Sequence, residues 1–231
     1  MIDLLLLVIL GVVTWCVASE GPWGAAFTLI IVLISGLLAM NFFEPLAVVL
    51  EKTLDLGSDW KARWDFIALS LLFAGGIFGL RAATDYLHPG FIPVHPLLHD
   101  GLRWGAGLLT GYVTMAILLT FVHTAALPRD FLGFKPERKN LLGIAAPDHQ
   151  WLGFVQYVSE NGMSRGKNGP IFDGPEYAVI AGQPPQIWPS FPIRYAYRRE
   201  QIGGGSQAAA PVDPLQQMQP VNRRPAPGSG F

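Results

Sequence analysis

Two apolar runs, Phe66–Leu87 and Leu102–Leu127, constrain this chain more than any other feature. Each reaches the roughly 20 residues that a helix needs to cross the hydrocarbon core of a bilayer. In lipid every backbone N–H and C=O needs an internal partner, so such a run is a helix. Both runs carry small residues at four-residue spacing: Gly75, Gly79 and Ala83 in one, Gly107 and Gly111 in the other. A small-residue stripe lets two backbones approach closely, and in lipid that packing drives helix association. These residues are candidate helix-packing positions. The plainer reading is that glycine is simply commoner in membrane helices.

Two more spans precede this pair. Ile2–Ala18 is apolar except for Asp3 and Thr14. It lacks the basic n-region of a signal peptide, and Cys16-Val17-Ala18-Ser19-Glu20 offers only a weak cleavage site, so a retained span is expected. Trp15 before Cys16 argues against a lipoprotein cysteine. Cys16 is the single cysteine, which leaves no intrachain disulfide and no cysteine metal cluster. Ser19-Glu20-Gly21-Pro22 reads as a tight turn. Trp23–Phe43 is the second span, and Pro45 is expected to end or kink it. Beyond it, Leu46, Val49, Leu50 and Leu54 recur at helical spacing between Glu51, Lys52 and Asp55. That pattern reads as a short interfacial amphipathic helix, with an extension of the second span as the alternative.

Charge divides the chain. Only 14% of residues are charged, against about 25% in soluble domains. Residues 1–127 hold five Lys or Arg and residues 128–231 hold eleven. With a net charge of −1 and no basic stripe interleaved with aromatics, nucleic acid is not an expected partner. No dinucleotide-binding, P-loop, H-E-x-x-H or Ser/His/Asp pattern is present. The expectation is therefore a non-enzyme without cofactor or metal.

Three titratable residues in or near the spans are candidate functional groups. Arg81 and Asp85 are four apart and share a helix face. Intramembrane charge is a functional hypothesis by default, while an arginine near a span end also serves as an anchor. His123 lies inside the fourth run, where an interhelical hydrogen bond or a proton-relay role would accommodate it. His88–Asp100 is a proline-rich connector. Its three histidines invite a metal reading, but their spacing fits no compact motif and a rigid loop is expected.

Past Leu127 the chain is polar. Pro147-Asp148 is expected to open a helix, with Asp148 suiting its first turn and Gly162 its C-terminal cap. Its apolar stripe is Trp151, Leu152, Val155 and Val158. Ser164–Asp173 reads as a Gly-rich loop, and Tyr177–Ile180 and Ile193–Tyr197 as short strands. Gly203–Phe231, with five prolines, reads as a disordered tail. The expected fold is an all-α membrane protein with three segments. These are a four-helix transmembrane domain over 1–127, a juxtamembrane segment with an amphipathic helix over 128–202, and the tail over 203–231.

Several features together resemble the colicin V production protein family of bacterial inner-membrane proteins. They are Asp3 heading a short apolar helix, Gly21 and Gly24 in the first turn, the exit Ala39-Met40-Asn41-Phe42-Phe43-Glu44-Pro45-Leu46-Ala47, and the Gly-rich start of the fourth span, Arg103–Gly111. The resemblance covers about the first 127 residues. It implies a four-helix inner-membrane protein linked to toxin production, with no settled molecular activity. The family usually has basic residues around the first-turn glycines, and here that turn holds only Glu20. With four spans both ends share a side. Lys52, Lys61, Arg63, Arg129, Lys135, Arg138 and Lys139 lie on that side, against Arg81 and Arg103 opposite, so the positive-inside rule puts both ends in the cytoplasm. The family pattern would imply the reverse. Expected partners are the lipid bilayer and other membrane proteins or a second copy. The expected function is toxin production, export or envelope organisation; the alternative is a small channel or transporter using Arg81, Asp85 and His123.

Overall fold

In this computed structural model the described residues are 2–54, 60, 63–87, 96–127, 131–134, 139–162, 191–192 and 195–196. They form five α-helices: α1 (Ile2–Ser19), α2 (Gly21–Leu54), α3 (Trp64–Leu87), α4 (Pro96–Thr124) and α5 (Pro147–Tyr157). A π-helical turn, Val158–Gly162, extends α5. Among the described residues there is no strand, only an isolated bridge between Leu141 and Ala145. Helices α1 to α4 are each long and apolar enough to cross a membrane, and the chain is a multi-pass, all-α membrane protein.

The turn between α1 and α2 is a single residue, Glu20. Gly21 makes it feasible with φ +84, a conformation that disfavours any side chain. Successive helices run antiparallel, so the start of α1, the end of α4 and α5 share one end of the bundle. The α1–α2 turn and the end of α3 lie at the other. Helices α2 and α4 pack together at the centre, with α1 against α4, α3 against α2, and α5 against α4. Trp60 and Trp64 stack at one end, and Trp15 and Trp104 pair at the other. Aromatic rings at both levels suit the two membrane–water interfaces.

Helix α2 corrects the expectation at Pro45. It continues unbroken to Leu54, so Leu46–Leu54 extends the second span rather than forming a separate interfacial helix. Proline removes one backbone donor, which membrane helices tolerate. Pro45 faces outward, while Phe43 and Ala47 on either side are buried in the main core and hold the two halves in line. A second correction concerns Ile193–Tyr197, where Tyr195 and Ala196 are helical. The rings of Phe191 and Tyr195 lie 4.7 Å apart between centroids, in the same core. Ser164–Asp173, Tyr177–Ile180, the tail Gly203–Phe231 and the connector histidines His88 and His95 lie outside the described residues.

The glycines show how tightly each pair of helices closes. A Cβ on Gly111 would come 2.6 Å from Thr14 Oγ1 and 2.9 Å from the Leu10 carbonyl. One on Gly107 would come 3.0 Å from the Thr14 carbonyl, so both residues seat α4 on α1. On α3 the close approach is made by Gly76, against Ser35 of α2 at 2.9 Å. Gly75 and Gly79 have nothing within 4 Å, and Ala83 is exposed; that ladder points away from the bundle. The tightest notch is Gly36 on α2. A Cβ there would sit 2.6 Å from Ile117 of α4 and 2.7 Å from Trp151 of α5.

Candidate functional site

Helix α5 is amphipathic and begins with proline, whose missing N–H is no loss at a first turn. Its Trp151, Leu152 and Val155 are buried, and Val158 is half-buried. The indole of Trp151 fills the Gly36 notch, so α5 lies against the bundle as a fifth packed element. This docking carries the first turn of α5 to the end of α4, where the main polar centre lies.

At that centre His123 Nε2 and Asp148 Oδ2 are 2.8 Å apart, and both side chains are 0% exposed. A contact this short holds a proton between nitrogen and oxygen, the imidazole N–H donating to the carboxylate. The amide of Asn140 reaches the same carboxylate oxygen at 3.5 Å. Its other oxygen, Oδ1, is buried with no hydrogen-bond donor among the described residues. The edge-on ring of Phe134 lies 4.9 Å from the imidazole, and that of Phe191 6.3 Å. Nearby, the Tyr112 hydroxyl donates to Gln150 Oε1, a second polar tie between α4 and α5. His149, half in solvent, has its Nε2 3.8 Å from Asp148 Oδ2.

A histidine oriented by a carboxylate is a familiar acid–base pair. Here both groups are shut away from solvent, and the faces around the imidazole are aromatic. What the pair does physically is join α4 to α5 across an apolar contact. Breaking a buried pair by removing one partner leaves an uncompensated polar group or charge.

The second polar cluster is at the opposite end. Arg81 Nη1 donates to Glu20 Oε2 at 2.7 Å and to Thr28 Oγ1 at 2.7 Å, while its Nε lies 3.3 Å from Asp85 Oδ1. The hydroxyl of Thr28 in turn donates to Glu20 at 2.9 Å. Arg81 is 34% exposed and Asp85 66% exposed, so this cluster reaches water. It straps the end of α3 to the α1–α2 turn.

Arg81 and Asp85 thus meet each other, whereas His123 is remote from both. Sequence reasoning assigned Asp148 only a favourable charge at a helix start and gave no partner to Glu20. Antiparallel alternation of the spans puts Glu20 and Arg81 at the same end, a signal available in the sequence. Nothing comparable marks Asp148 as the partner of His123, since that depends on how α5 folds back. Among the described residues no group of three or more His, Cys, Asp or Glu is placed to hold a metal ion. Comparison of the chain with protein-family models, with curated proteins and with solved structures finds no match.

Proposed function

We propose that this chain is a non-enzymatic scaffold of a bacterial inner membrane, with both ends of the spanning bundle in the cytoplasm. It acts in the production or export of a secreted product, as the resemblance to the colicin V production family implies, or in envelope organisation. The observation that carries the reading is the destination of the polar groups. Arg81 closes on Glu20 at 2.7 Å at one end of the bundle, and His123 closes on Asp148 at 2.8 Å at the other. A transporter lines one continuous wet path with such groups. These two clusters instead tie helices of the same chain to each other. The excess of Lys and Arg at the end shared by α1 and α4 supports the cytoplasmic assignment.

Two measurements test the proposal. Proteoliposomes with a trapped pH dye are expected to dissipate an imposed proton gradient no faster than empty vesicles. A flux that Arg81→Ala or His123→Ala abolishes would turn the reading to a channel or transporter. The full chain, expressed in a toxin-secreting bacterium that lacks its own colicin V production protein, is expected to restore secretion. Unchanged loss of secretion would remove the toxin-production part and leave envelope organisation.

A further inference from the structure

The segment that follows α4 carries two leucines in left-handed backbone, Leu132 at φ 52 and Leu142 at φ 53. Each precedes a glycine of positive φ, Gly133 at 88 and Gly143 at 70. A leucine in this conformation is strained, because its Cβ crowds the next carbonyl. Glycine, asparagine and aspartate are the ordinary occupants of such positions. Strain of this kind persists where the surroundings over-determine it.

Those surroundings have two faces. Inward, Phe134 is fully buried, Asn140 is buried, and Leu141 packs with Ile2, Leu6 and Phe134. Outward, Leu132, Leu142 and Ile144 are exposed, Ile144 to 76%. The turn itself is closed by Leu141 and Ala145, each donating its N–H to the other's carbonyl, and by the Ile144 N–H on Leu141. The backbone therefore holds Leu142 and Ile144 on the outer face of a compact turn.

Asp3 says where that outer face lies. Its carboxylate accepts the Leu142 N–H at 2.6 Å, which pins the turn to the first turn of α1. With 18 residues, α1 is about 27 Å long, close to the roughly 30 Å of a hydrocarbon core. Its first turn therefore sits at the hydrocarbon edge. Leu4, Leu5 and Val8 of α1 are exposed on the surface that a membrane span presents to lipid. Leu142 and Ile144 add exposed apolar side chains on a turn bonded to this first turn of α1.

We infer that the Leu141–Ala145 turn is an interfacial lipid anchor, its Leu142 and Ile144 side chains inserted among the outermost acyl methylenes of the leaflet at the α1 start. The occupant of this patch is bilayer lipid. Burying these side chains offsets the left-handed backbone, and the Asp3 bond fixes the depth of insertion. The inference stands apart from the proposed function, because it concerns how the chain meets the bilayer whatever the bundle does.

The test uses the full chain with Cys16→Ser and Ile144→Cys, labelled with an environment-sensitive fluorophore. It is reconstituted in vesicles of phosphatidylcholine and phosphatidylglycerol. Lipids brominated near the ester end of the acyl chain are expected to quench the label, and aqueous iodide is expected not to. Quenching by iodide without quenching by brominated lipid would overturn the anchor. Quenching by neither would also overturn it, because the patch would then be covered by protein, including a second copy. Should Ile144→Cys fail to fold, Leu142→Cys reports on the same face with the same expected and contrary results.

Discussion

At the end of the bundle holding the α1–α2 turn, Arg81 keeps 34% of its side chain exposed and shares Glu20, Thr28 and Asp85 as partners. At the other end His123 and Asp148 keep none of theirs exposed, and the carboxylate leans on the His123 imidazole, with longer contacts to Asn140 and His149. Both are ion-pair geometries at almost the same distance, 2.7 and 2.8 Å. The difference lies in what surrounds them. Water and three partners stand by if a member of the Arg81 cluster is lost. Around His123 stand the rings of Phe134 and Phe191, which cannot donate to the carboxylate, and that of His149, 6.3 Å away between centroids, whose Nε2 lies 3.8 Å from Asp148 Oδ2. Distance alone therefore says little about what such a pair contributes; its access to water decides it.

The largest expected effect follows from this. His123→Ala leaves a buried carboxylate without its main donor, a loss of about 3–5 kcal/mol for a buried pair. Thermal unfolding in detergent should register it, and protease should reach α5. Replacing both residues, His123→Leu with Asp148→Leu, should cost less than the single change, because no polar group is then stranded. A double variant less stable than the single would show that the pair is net stabilising in its own right.

The next effect concerns the notches. Gly36→Leu drives a side chain into Ile117 and Trp151, and Gly111→Leu drives one into Thr14 and Leu10. Overpacking of this kind costs about 1–3 kcal/mol, seen as a lower yield of folded protein and a lower unfolding midpoint. Gly36→Leu should in addition change the Trp151 emission spectrum, since it displaces the indole. An unchanged spectrum would place α5 elsewhere.

Arg81→Ala should be milder, about 0.2–1 kcal/mol, and the difference from the natural chain should shrink as salt is raised. A loss as large as that of His123→Ala would erase the contrast between the two ends. The smallest effect is expected at Gly79→Leu. Its Cβ direction is open, so stability should stay within about 0.5 kcal/mol. A clear loss there would mean that a second molecule covers the outer face of α3.

How much of this was legible depends on the kind of signal. The four spans were readable because hydrocarbon thickness sets a length that composition must match. The α5 stripe was readable because Trp151, Leu152, Val155 and Val158 recur at helical spacing in a segment outside the spans. The rotation of α3 was not readable. Its inward and outward faces are both apolar, so Gly75, Gly79 and Ala83 looked as good a seam as the stripe through Gly76. Lipid removes the polar–apolar contrast that orients a helix in a soluble protein. The continuity of α2 through Pro45 was equally hidden, since it rests on Phe43 and Ala47 finding partners on other elements.

From residue order alone come the number of spans, their antiparallel alternation and the amphipathic helix that follows them. These are local consequences of transfer free energy and backbone hydrogen bonding along a single segment. Only the tertiary structure decided which glycines carry a neighbour, that Asp148 belongs to His123, and that Trp151 lodges in the Gly36 notch. Each of those joins residues distant in the chain. The physical reason is that packing between helices in lipid is a matter of shape and of satisfying the few polar groups inside, and neither is written in the hydropathy of one helix.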